Sequence, residues 1–74
     1  MTFRRNVPRD RAIGAEIRRL RLLAGMTVAE LSRRSGTANH TLWDVEGGRK
    51  TAPRLGDIAE ALGVAVEKIC AGAR

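Results

Sequence analysis

The segment SRRSGTANHTLWDVEGG, residues 32–48, holds the side chains best suited to chemistry with a polar partner. If residues 38–46 form a helix, Asn39, His40, Trp43 and Asp44 lie opposite Leu42 and Val45, at the end nearest the preceding turn. An asparagine amide donates and accepts at once, as adenine requires in the major groove of duplex DNA. A histidine donates to guanine N7 or O6, and a carboxylate accepts from the amino group of cytosine. A tryptophan can touch a thymine methyl, pack on sugar and phosphate, anchor a protein partner, or fold back over its own helix. His40 reads equally well as an ordinary exposed helix residue. Arg49 and Lys50 read either as cations for phosphate or as part of a solvated loop.

These side chains need a scaffold, and the apolar pattern supplies one. Ile13, Ile17, Leu20 and Ala24 share one face of a helix that begins near Arg11 and ends at Gly25. TVAE at 27–30 predicts a capping box, with Thr27 as the cap and Glu30 reaching back to its amide. The second helix runs through Arg34, and Gly36 is suited to a left-handed turn. A helix-turn-helix then requires Leu31, Leu42 and Val45 in the core and a small residue, Ser32, where the third helix crosses. The third helix spans about 38–46 and stops at Gly47-Gly48. After the polar loop GRKTAP, a fourth helix is expected from Pro53 or Arg54 to Leu62, with Leu55, Ile58, Ala59 and Leu62 inward. A fifth follows Gly63, with Val66, Ile69 and Cys70 on its apolar side. The expected fold is all-α, five short helices around one core, with no strand and no repeat. Residues 1–10 read as a basic arm and 11–74 as the domain.

Composition narrows the function. Seventy-four residues with one cysteine and one histidine exclude an internal disulfide and a Cys/His metal cluster, and no cofactor is expected. Cys70 reads as a small core or interface residue rather than a redox thiol. Phe3 and Trp43 are the only aromatics, which disfavours the stacking platforms of single-strand binders. The net charge of +6 is uneven: residues 1–37 carry nine arginines against three acids, and residues 38–74 carry five basic residues and five acids. Such a domain attracts polyanions, nucleic acid first. The arginines of MTFRRNVPRDR precede no apolar run, so no signal peptide is read, and a cytoplasmic, nucleoid-associated protein is expected. No stretch has the length of a membrane span. No nucleophile–base pair or phosphate-cradling glycine loop suggests an enzyme.

From Ile13 to about Gly72 the chain resembles the lambdoid phage repressor and Cro (XRE-like) family of helix-turn-helix proteins. The resemblance is carried by IRRLRLLAGMTVAELSRRSG, VEGGRKTAP and LGDIAEALGV, in that order and spacing. It implies a transcriptional regulator, a repressor in most cases, that binds double-stranded operator DNA as a homodimer with its third helix in the major groove. It implies base contacts from Asn39, His40, Trp43 and Asp44. Phosphate contacts would fall to the Val28 backbone amide, Arg49, Lys50 and, near the minor groove, Arg54. It also implies an ion pair between Arg21 and Glu46, each near the core edge.

The sequence departs from the family at three places. Val28 stands where glutamine often braces a phosphate contact. Ala38 replaces the usual Ser or Thr cap, removing roughly 1 kcal/mol of capping unless Thr37 substitutes. Asp44 repels phosphates unless it meets a donor. The N-terminal arginines suit either a solubilising tail or an arm that tracks the minor groove. The apolar excess near Leu55, Val64, Val66 and Ile69 places a dimer contact at the loop before helix four and at helix five. The rival reading is a helix-turn-helix scaffold for protein binding, an antitoxin or transcription partner, with Trp43 as its anchor.

Overall fold

Helix α1 (Val7–Leu23) starts before the apolar period that announces it, at Val7 rather than Arg11. The Asn6 side chain accepts from the Arg9 amide at 3.2 Å, Pro8 sits in the first turn, and Asp10 faces the positive end of the helix. The computed structural model describes residues 5–73, so residues 1–4 of the expected arm lie outside the described residues, while 7–10 are helical. Ile13, Ile17 and Leu20 are buried. Ala24, expected on the same face, is exposed because the helix is already closing there. Gly25 (φ 69°) donates to Leu22 O and Met26 donates to Arg21 O, both at 3.0 Å, which satisfies the last carbonyls.

Helices α2 (Val28–Ser35), α3 (Asn39–Glu46), α4 (Leu55–Leu62) and α5 (Val66–Gly72) follow, and no strand occurs among the described residues. The capping box of α2 is formed: Thr27 Oγ1 accepts from the Glu30 amide at 3.1 Å, and Glu30 accepts from the Thr27 amide at 3.4 Å. Gly36, at φ 71°, takes the left-handed turn into α3. Ser35, not Ser32, is the buried serine of this hairpin. Its hydroxyl donates to Leu31 O at 2.7 Å and accepts from the Thr37 amide at 3.3 Å.

α4 begins later than its proline suggests. Arg54 has left-handed backbone (φ 53°), which no helical residue adopts, so Pro53 belongs to the preceding turn. For a non-glycine residue this conformation costs on the order of 1 kcal/mol. Two bonds from the Arg54 guanidinium offset it, to Gly36 O at 3.1 Å and to Asp57 Oδ2 at 2.9 Å.

α1 packs on α3 and α5, α2 on α3 and α4, and α4 on α5. The α1–α3 contact is backbone to backbone at Gly14, where an added Cβ would stand 1.9 Å from Val45 O. No other residue fits there. On α5 only Ile69 is buried, and it is fully buried, which removes it from the dimer surface expected around it. Val66, Val64 and Leu55 pack against the core and leave part of each side chain exposed. Cys70 is half-buried, with Arg9 Nη2 3.9 Å from its sulfur. Glu16, also buried, takes a two-pronged contact from Arg19 at 2.7 and 2.6 Å beside Gly72. The hydrogen bonds from Arg19 hold the Glu16 carboxyl below its usual range, against the upward push of burial. Among the described residues, no helix is long and apolar enough to cross a membrane.

Candidate nucleic-acid interface

α3 is held across α2 by Leu31, Leu42 and Val45, each with no exposed surface. Burying these branched side chains on one side forces the other side of α3 outward. Asn39 and His40 are exposed there, Trp43 is 59% exposed, and Asp44 is half-buried. Trp43 does not fold away over its helix. It lines a shallow groove with Asn39, with Val28 and Ala29 at the start of α2, and with Leu22 and Met26 around the end of α1.

The side chain of Val28 is itself buried. The residue standing where the family often has glutamine therefore serves the core, and what remains for a partner is its backbone amide in the first turn of α2. Amides there point out along the helix axis, where an anion is favoured.

The N-terminal end of α3 is thinly bonded. Ala38 supplies no side-chain cap. Thr37 does not substitute for it: its hydroxyl is buried without a hydrogen-bond partner. The C-terminal end is densely bonded. Gly48 (φ 73°) donates to Val45 O at 3.0 Å and Arg49 donates to Asp44 O at 2.8 Å, the paired bonds of a left-handed helix stop. Arg49 then folds back, with Nε 3.2 Å from Asp44 Oδ1 and Nη2 3.3 Å from Trp43 O. The negative charge of Asp44 is thus met within the chain, although an exposed pair of this kind contributes only about 0–1 kcal/mol.

Arg21 reaches the same end of α3 from α1. Its Nε and Nη2 donate to the two Glu46 carboxylate oxygens at 2.8 and 3.0 Å, and Nη1 donates to Met26 O at 2.9 Å. The two side chains are 10% and 5% exposed. A two-pronged, buried geometry of this kind supplies both charges with fixed partners.

The remaining basic residues divide. Lys50 is exposed. Arg54 is engaged by Gly36 and Asp57, so its guanidinium lies over the α2–α3 turn. Among the described residues, Arg9, Arg11, Arg18, Arg33 and Arg34 form no ion pair, whereas Arg5 pairs with Asp10. The contacts of Arg5, Asp10 and Thr51 went unread in the sequence. The available signal was Asp10 itself, a lone acid in the most basic segment of the chain.

A family model for the helix-turn-helix domain matches residues 12–72. The match spans most of the chain, which therefore belongs to that family, in its XRE-type, DNA-binding branch. The chain is a DNA-binding regulator domain rather than an enzyme. Among solved structures it is similar to the clp gene regulator ClgR from C. glutamicum. The two share 31% identity over 88% of this chain and 87% of that one, with a TM-score of 0.83. No curated protein matches the chain closely enough to count as a relative.

Proposed function

We propose that the chain is a sequence-specific regulator of transcription, acting as a repressor, that inserts α3 into the major groove of an operator. The observation that carries this reading is the outward face of α3. It displays an amide, an imidazole and an indole beside the first turn of α2, with two basic residues directly after its end. Asn39 takes adenine by a two-point bond, His40 donates to guanine, and Asp44 accepts from cytosine while Arg49 neutralises it. Trp43 lies against a thymine methyl or the sugar. The Val28 amide, Arg49 and Lys50 hold phosphates. Arg54 braces the turn and meets the backbone only if its bonds to Gly36 and Asp57 open.

One such helix reads too few base pairs to select a genomic site, so a homodimer is part of the proposal. Its recognition helices would stand about 34 Å apart on one face of the duplex. Half-buried Leu55, Val64 and Val66 around α4 and α5 are the surface offered for that contact. The protein would then act in the cytoplasm, associated with the nucleoid. Selection of bound sites from random duplexes tests the proposal directly. An inverted repeat with half-sites one helical turn apart is expected, and a selected site without symmetry overturns the dimer. Asn39→Ala should relax preference at one position of each half-site.

One observation favours a second reading, docking of a protein. Trp43 at 59% and Leu22 at 57% exposure are large apolar side chains lining one groove. Titration of duplex DNA at two salt concentrations separates the two. A DNA reader loses affinity steeply as salt rises, and a protein-binding scaffold does not.

A further inference from the structure

Arg5 belongs to the segment whose charge invites contact with DNA, yet its guanidinium is engaged inside the molecule. Nη2 donates to Gly48 O at 2.9 Å and Nη1 donates to Arg49 O. Nε stands 2.9 Å from Asp10 Oδ2, in an ionic contact that is not aligned as a hydrogen bond. The same Asp10 oxygen accepts from the Thr51 hydroxyl at 2.8 Å. Asp10 is almost wholly buried, with 6% of its side chain exposed. Arg11 packs against the same loop so closely that a Cβ on Gly48 would meet its Cγ at 2.5 Å. Arg5, Asp10 and Arg11, around the start of α1, therefore grip residues 48–51 at three places. Those residues include Arg49 and Lys50.

We infer that Arg5 and Asp10 are positioning residues for the phosphate-binding loop, and that Arg5 is not itself a DNA ligand. The inference rests on the proposed DNA contacts of Arg49 and Lys50. Two glycines precede the loop, and a chain of that composition is free to wander unless something holds it. Ordering it only on binding would cost conformational entropy, and a loop already fixed avoids that loss. Asp10 is the informative member. If charge alone mattered, neutralising an acid beside a DNA-binding surface would tighten binding. If Asp10 holds the loop, neutralising it weakens binding although the net charge rises.

The test uses the whole chain and a mixed-sequence duplex two helical turns long. Affinity is measured over a series of salt concentrations for wild type, Arg5→Ala, Asp10→Asn, Thr51→Val and Arg49→Ala. Amide hydrogen exchange at Arg49 is followed in the free proteins. Arg5→Ala and Asp10→Asn are expected to bind about tenfold more weakly, equivalent to 1.4 kcal/mol. The slope of log affinity against log salt should stay at the wild-type value for both, whereas Arg49→Ala lowers it by about one. The Arg49 amide should exchange roughly tenfold faster in both variants. Thr51→Val alters one exposed residue and no charge, so it keeps the test available if a charge variant fails to fold. It should show the same two changes, each a few-fold. A slope reduced by about one in Arg5→Ala makes Arg5 a phosphate ligand and overturns the inference. Tighter binding by Asp10→Asn, or unchanged exchange at Arg49, overturns it too. A wild-type chain indifferent to duplex DNA overturns the DNA-binding reading itself, and the wild-type titration alone identifies that outcome.

Discussion

The two ends of α3 are built on opposite plans. At the N-terminal end, Ala38 has no capping oxygen, the Thr37 hydroxyl is without a partner, and Asn39 and His40 are exposed. At the C-terminal end, the glycine stop, the Arg21–Glu46 pair, the Arg49 fold-back and the Arg5 contacts all converge within a few residues. The difference teaches how a helix of eight residues can be both anchored and available. Such a helix is too short to be stable by itself and must be fixed by packing. Fixing it at the end remote from the turn leaves backbone and side chains at the other end with few competing bonds. A partner met there displaces water and little else.

Disrupting the anchored end should have the largest effect. In Gly14→Ala the added methyl meets the Val45 carbonyl of α3, a backbone atom that cannot rotate away. The expected loss exceeds the roughly 3 kcal/mol that overpacking ordinarily costs, because a backbone atom must shift, and it is a large part of the roughly 4–11 kcal/mol stability of a domain of this size. Thermal melting followed by circular dichroism should find this variant largely unfolded at room temperature. A melting midpoint within a few degrees of wild type would mean that α1 and α3 do not meet at backbone distance.

Glu46→Gln comes next. It removes the opposite charge and one of the three acceptors of buried Arg21, and the expected loss is about 3 kcal/mol by urea unfolding. An unchanged midpoint would make the pair a surface coincidence and weaken the contrast between the two ends.

The open end predicts a gain. Ala38 already has the extended backbone (φ −60°, ψ 147°) of a cap residue, so Ala38→Ser should bond the Thr41 amide without rearrangement. Stability should rise by about 1 kcal/mol. If it does not, the first amides of α3 are already satisfied and the end is less open than its side chains indicate.

The smallest effect lies away from α3 and serves as a control. Glu16 has a folded-state pKa below its ordinary value of 4.5, chiefly because Arg19 hydrogen-bonds its ionised form. Its contribution is therefore complete above about pH 4.5 and is lost as pH falls through the lower folded value. Glu16→Gln should flatten the acid limb of the stability curve and leave its neutral limb parallel to wild type. An acid limb as steep as wild type would assign the acid sensitivity to other carboxylates.

Local chemistry made much of this molecule legible. The capping box, the left-handed glycines and the inward residues of α2 and α3 follow from residue type and short spacing, because each is decided within one helical turn. The identity of the outward face of α3 follows from the same periodicity, since naming the buried side names the exposed one. Boundaries were harder. Apolar period is silent about Val7–Asp10, where a cap and a proline set the helix start. It is silent again about Arg54, whose left-handed backbone depends on bonds to Gly36 and Asp57. Charge was the least legible quantity. Composition counts Arg5, Arg49 and Arg54 alike as cations facing a polyanion. Their carboxylate partners Asp10, Asp44 and Asp57 are near in the chain, but the carbonyls that Arg5 and Arg54 also hold lie 44 and 18 residues away, and only folding brings those within reach. Ile69 shows the same limit for apolar residues, because a helix of seven residues presents its buried and exposed sides with too few positions to tell them apart. The sequence by itself thus determined where the helices turn and which side of α3 is displayed, through interactions that span a few residues. Which arginines remain for DNA, and which hold the loop that meets it, was decided by tertiary structure, because the carbonyls that engage Arg5 and Arg54 are far along the chain and a hydrogen bond depends only on distance and direction in space.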